Sequence, residues 1–89
     1  MEFALICIDK PDHQDLRART REAHLAYVRE TGVVRIAGPF LSDAGAMIGS
    51  LVILSVPDRA AAEDWSVNDP YAKAGLFSDV TVHAWKQTV

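Results

Sequence analysis

Eighty-nine residues suit one domain, residues 1–89, and leave no room for a separate cofactor-binding domain. With 49% hydrophobic and 24% charged residues the chain has an ordinary globular make-up, which excludes the disordered class, and no apolar run approaches the roughly 20 residues that span a bilayer. A formal net charge of −3, with acids and bases interspersed, offers no basic footprint for a phosphate backbone and turns the reading away from nucleic acid.

Residues 2–9, "EFALICID", are rich in aromatic and β-branched types and stop at Pro11, which predicts a first strand. The run is short for a signal peptide, is flanked by acids and has no basic lead-in. Its Cys7 is the lone cysteine and has no partner for an internal disulfide, so the chain reads as cytoplasmic. From about Asp12 to Thr31 helix formers dominate without glycine or proline, and Gly32 stands where a helix ends. "VVRIAGPFL", Val33 to Leu41, predicts a strand interrupted or bulged at Gly38-Pro39, because proline cannot donate to a ladder. "SDAGAMIG" turns the chain, and "SLVILSV", Ser50 to Val56, supplies a third strand in a hairpin with the second. Pro57 and Asp58 start a second helix through "AAAEDWSVN". An Asp-Pro corner at 69–70 opens a short helix closed by Gly75, and "DVTVHAWKQ", Asp79 to Gln87, is the last strand.

The order strand, helix, strand, strand, helix, strand predicts a ferredoxin-like βαββαβ sandwich of the α+β class, with strands one and three central. Both central strands are apolar on both faces: Phe3, Leu5 and Cys7 against Ala4, Ile6 and Ile8, and Val52, Leu54 and Val56 against Leu51 and Ile53. Two helices cover one face only. The second face therefore calls for the same face of another copy, a homodimer or higher assembly.

Three histidines are candidates for chemistry. His13 reads as a solvated loop residue, and His83 as part of the last strand's packing. His24 differs. Stepping about 100° per residue from Leu16 puts Tyr27 at about 20°, Thr20 at about 40°, His24 at about 80° and Val28 at about 120°, so the imidazole lies in the sheet-facing arc. It is either a core histidine with its hydrogen bonds satisfied or a general acid or base, which a neighbouring carboxylate would orient. Arg17 and Arg21, at about 100° and 140°, read as solvated charges at the border of the helix, or as attractors of an anionic substrate. Asp69 before Pro70 is a helix cap that has a second oxygen free for a histidine, and Tyr71 is either an aromatic wedge or a hydroxyl donor. The histidines share no metal-ligand spacing, Gly45 and Gly49 form no phosphate cradle, and Ser50 begins a strand instead of crowning a nucleophile elbow. No metal, cofactor or serine or cysteine nucleophile is read.

The stretches "RTREAHLAYV", "AGPFL", "IGSLVIL" and "AAEDWSVNDPYAKAGLFSDVTVHAWK" resemble the YciI-like (YCII-related) family over nearly the whole chain. Arg-x-x-His-Leu, Gly-Pro, Gly-Ser and Asp-Pro-Tyr followed by Ala-Gly carry the likeness together. The resemblance implies a ferredoxin-like fold that dimerises as an α+β barrel, and a site built on a His-Asp pair at His24 and Asp69. It places Arg21, Pro39, Ser50 and Tyr71 beside that pair as substrate-binding positions, with Asp9 as a weaker candidate. The activity implied is lyase- or isomerase-type, dehydrochlorinase-like chemistry on a small cyclic, anionic molecule. The rival expectation is a non-catalytic dimeric module that binds a small molecule or serves as an accessory protein, since fold alone does not decide function.

Overall fold

A computed structural model describes all 89 residues. In chain order the elements are β1 (Glu2–Asp9), α1 (Gln14–Thr31), β2 (Val34–Leu41), β3 (Met47–Ser55), α2 (Arg59–Asn68), α3 (Pro70–Lys73) and β4 (Phe77–Trp85). The strands form one antiparallel sheet in the order β2-β3-β1-β4, so β1 and β3 are central and the fold is the ferredoxin-like α+β sandwich. No helix is long and apolar enough to cross a membrane.

Local chemistry explains the boundaries. Gly32 takes a left-handed φ of 65° and returns its N–H to Val28 O, ending α1 where a side chain would be strained. Asp58 caps α2 by accepting from the Ala61 N–H at 2.9 Å. Asp69 caps α3 in the same way through Tyr71 N, with Pro70 in the first turn. The hairpin between β2 and β3 is tighter than the eight-residue turn expected. Ser42 and Ala46 close it, with Gly45 at φ 87°.

The expected break at Gly38-Pro39 is absent. β2 runs unbroken from Val34 to Leu41, and its register shifts fall instead at Val34/Ile36 and Phe40/Leu41. The physical reason is position: β2 is an edge strand, so a proline facing away from β3 removes no ladder bond. β4 likewise begins at Phe77, two residues before the expected start, and ends at Trp85.

Phe3, Leu5, Cys7, Val52, Leu54 and Val56 face α1 and α2 and form the core with Ala62 and Trp65. Two hydrogen bonds fasten the helices to each other: Tyr27 donates its hydroxyl to Trp65 O, and the Trp65 indole donates to Thr31 Oγ1. On the opposite face Ile8, Ile36, Leu51 and Trp85 are exposed, with Ile36 the most open at 60%. His83 lies on this outer face, opposite Ala4 in the register, and its ring nitrogen pairs only with Thr81.

Candidate functional site

The site grows from the sheet-facing stripe of α1. Residues spaced by four and three along a helix share a face, so Arg17, Arg21 and His24 line up over the sheet. Arg21 stays exposed at the border, whereas Arg17 and His24 are buried at 6% and 7% exposure. A buried polar side chain needs partners, and each of the two finds a carboxylate.

His24 Nδ1 lies 2.8 Å from Asp69 Oδ1, with Asp69 itself 2% exposed. That oxygen also accepts from the Tyr71 N–H at 3.0 Å. The cap and the histidine bond therefore share one oxygen, where the sequence reading divided them between two. A carboxylate only accepts, so the hydrogen sits on Nδ1, and in the neutral ring Nε2 is a lone-pair acceptor with no partner in the chain. The Tyr71 ring stacks on the imidazole at 4.1 Å between centroids and 17° between planes, fixing its tilt.

The second carboxylate is Asp9. It continues the alternation Phe3, Leu5, Cys7 and so points under the helices, where Arg17 meets it through Nε at 2.7 Å and Nη2 at 3.2 Å. Nη2 also donates to Ser50 Oγ at 2.6 Å. The guanidinium lies 4.7 Å from the centre of the Tyr71 ring, so the same tyrosine touches both polar pairs. Gly49 lets β3 pass close to β1 beside Ser50; a Cβ there would come within 2.4 Å of Cys7 O.

These side chains line a half-open cavity of about 180 Å³, bounded by Arg17, Arg21, His24, Pro39, Ser50 and Tyr71 with Leu25, Ala37, Met47 and Val52. An engineered cavity of about 150 Å³ holds benzene, so this one takes a single small ring with few substituents. Burial pushes the Tyr71 hydroxyl above its ordinary range, with the Arg17 and Arg21 guanidinium groups opposing and Asp69 and Asp9 adding to the rise. Tyr71 is therefore a donor at neutral pH, and its hydroxyl has no partner in the chain. Burial, assisted by Asp69, also drives the Cys7 thiol up to about 12, so it is no nucleophile. No three of the His, Cys, Asp and Glu side chains gather into a metal-binding group.

The structure thus brings His24, Asp69, Arg21, Pro39, Ser50 and Tyr71 into one neighbourhood, with Asp69 behind the imidazole and the other five on the cavity wall. His13, bonded to Pro11 O, and His83 lie outside it. One reading is overturned: Arg17 is not a solvated border charge but is buried, because Asp9 neutralises it there. The sequence held the signal in two pieces, Asp9 two residues beyond Cys7 on the core face and Arg17 within about 20° of His24 on the helical wheel.

A ferredoxin-like sandwich that holds a histidine–carboxylate pair against a ring-sized cavity defines the class: a small α+β protein with a cavity between its sheet and its first helix. The family described as the YCII-related domain matches residues 1–86, and the chain belongs to it. An uncharacterised protein of Haemophilus influenzae and protein YciI of Escherichia coli are each 33% identical, with 98% of both chains covered. Among solved structures, 5-chloro-2-hydroxyhydroquinone dehydrochlorinase from Burkholderia phenoliruptrix, in complex with 2,5-dihydroxybenzoquinone, superposes with a TM-score of 0.89 at 31% identity. That match covers 99% of this chain and 96% of the enzyme. An antibiotic biosynthesis monooxygenase, 15% identical with a TM-score of 0.60 over 99% and 98% of the two chains, shares the fold alone.

Proposed function

We propose that this protein is a small enzyme working without a cofactor, which carries out lyase- or isomerase-type acid–base chemistry on a small cyclic, anionic metabolite. The observation that carries the reading is a histidine whose Nδ1–H is tied to a buried carboxylate and whose Nε2 is left over on the wall of a ring-sized cavity. Asp69 orients His24 and favours the imidazolium once formed. Nε2 removes a proton from the ring, the released electron pair forms the new double bond, and a leaving group departs with its own bonding pair. In an isomerisation the same proton returns at another carbon. Base catalysis of this kind is worth about 10² to 10⁴ in rate. Support comes from the 31% identical dehydrochlorinase, an enzyme that handles a small oxygenated ring.

The test is a panel of halogenated and hydroxylated ring compounds, 5-chloro-2-hydroxyhydroquinone among them, assayed with the native protein and with His24→Ala. We expect turnover that falls at least about 100-fold in the variant, measured on folded protein at a temperature below its transition, because Asp69 loses a buried partner and stability falls with it. Equal turnover by both proteins would sink the assignment. Tight binding of panel members without any turnover would favour the accessory binding module instead.

We also propose that the exposed outer face pairs with the same face of a second copy. Ile8, Ile36, Leu51 and Trp85 form an apolar surface of the kind that a twofold contact of about 1,000–2,000 Å² covers. Sedimentation at micromolar concentration tests this, and a folded monomer there would refute it. A reducing, cytoplasmic setting suits the free, buried Cys7.

A further inference from the structure

A guanidinium has five N–H bonds, one on Nε and two on each Nη. In Arg17 the Nε–H goes to Asp9 Oδ2, and the two on Nη2 go to Asp9 Oδ1 and Ser50 Oγ. The two that remain are both on Nη1, which has no partner in the chain although the side chain is 6% exposed and lines the cavity. No side-chain nitrogen or oxygen is both sealed from solvent and unpartnered, so Nη1 opens onto the cavity, where its acceptor is water or the oxygen of a ligand that displaces it.

The rest of the wall agrees. Ser50 Oγ receives its hydrogen bond from Arg17 and keeps its own proton to give, and the Tyr71 hydroxyl is unpartnered beside them. With Nδ1 bonded to Asp69, the neutral His24 ring presents Nε2 as an acceptor only, while the Ser50 and Tyr71 hydroxyls can donate or accept. The arginine donors cannot accept, and the two hydroxyls beside them can donate, so the wall favours a molecule with an oxygen-rich, proton-poor end.

We propose that Arg17 Nη1 holds an anionic oxygen of the ligand, a carboxylate, phenolate or enolate, with Ser50 and Tyr71 as flanking donors and Asp9 as the residue that positions the guanidinium. This rests on the reading of the cavity as a substrate site. Both Arg17 and His24 touch the Tyr71 ring, so the anionic end and the proton to be moved lie on one small molecule spread along that ring. Charge that develops during proton removal is then met by donors already in place. Arg21 has a different part. Being exposed at the mouth, it attracts anions from a distance and is screened by salt, whereas Arg17 acts at contact.

The experiment uses the whole protein and two isosteric probes, benzoate and benzamide, followed by calorimetry or amide shifts at low and high salt. Native protein should prefer benzoate. Arg17→Lys, which keeps the charge opposite Asp9 but loses the fork, should weaken benzoate about tenfold to a hundredfold at both salt levels and leave benzamide unchanged. Should that variant fold poorly, the pair Asp9→Asn with Arg17→Gln removes both charges together and carries the same expectation. Arg21→Gln should lose affinity at low salt only, and His24→Ala should still bind benzoate. Equal affinity for the two probes, no binding of either, or unaltered benzoate affinity in Arg17→Lys overturns the inference. Turnover lost in His24→Ala with no dependence on Arg17 would leave the acid–base reading standing and remove this one. Arg17-dependent benzoate preference without turnover would do the reverse.

Discussion

On the face of the sheet beneath α1 and α2, Leu5, Cys7, Val52 and Leu54 are sealed at 1% exposure or less, while on the other face only the central pair Ala4 and Ile53 is buried and Ile8, Ile36, Leu51 and Trp85 keep between 37% and 60%. The residue types and their alternation are nearly the same on both sides. An apolar pattern commits a side chain to leaving water, but it does not say what will cover it. The covered face also decides where chemistry can reside. His24, on the sheet-facing side of α1, gains a carboxylate at 2.8 Å, whereas His83, on the open face, has only the Thr81 hydroxyl at 3.2 Å.

The largest effect that separates the faces is truncation of a leucine. Leu5→Ala removes a side chain sealed from all sides and should cost about 2–5 kcal/mol in urea unfolding. Leu51→Ala, one register position away from Leu5's partner Val52, should cost less than half as much in dilute solution. If two copies pair through the outer face, its cost should grow with protein concentration, and Leu51→Lys should shift sedimentation towards a folded monomer. Equal and concentration-independent losses for the two alanine variants would erase the distinction between the faces.

The next effect tests the sealed face through a proton. Burial holds the Cys7 thiol protonated up to about 12, against 9.0 for a free thiol. Above about pH 9 the unfolded chain loses this proton while the folded chain keeps it, so stability falls as pH rises from about 9 towards 12. The Tyr27 and Tyr71 hydroxyls, raised chiefly by burial, add to the same fall above 10. The full loss is on the order of a few kcal/mol. Cys7→Ala should flatten the early part of the decline, and iodoacetamide should label the native protein only as it unfolds. A thiol that reacts rapidly in the folded state near pH 8 would show that this face is not sealed.

Much of this was legible in the residues themselves. β1 was placed at its observed bounds because an apolar β-branched run ended at Pro11, and α1 ended at Gly32 because only a left-handed glycine fits there. His24 was placed under the sheet by helical angle alone. The misses share a cause. Pro39 looked like a break since a ladder needs donors, although the predicted order, with strands one and three central, already made β2 an edge that needs none on its outer side. Arg17 looked solvated since a lone buried cation is costly, and only the folded chain brings Asp9 to it across the loop. Local chemistry is read from neighbours in sequence, whereas these two outcomes depended on neighbours in space.

The smallest expected effect sets the open face's ion pair against the sealed one. Arg35 binds Glu2 at 2.6 Å, bonds Gln87 Oε1 and lies 5.9 Å from the centre of the Trp85 ring, so it pins the segment after β4 across the sheet. It is exposed, and an exposed pair of this kind is worth about 0.2–1 kcal/mol and weakens with salt. Arg35→Ala should therefore lower stability by no more than that, with the difference vanishing at high salt. The buried Asp9–Arg17 pair is the counterpart: removing one partner leaves a charge with no water to turn to, at about 3–5 kcal/mol that salt does not screen. A salt-independent loss of several kcal/mol on removing Arg35 would mean that the outer face is already buried against something, and the two faces would differ in their cover and not in whether they are covered.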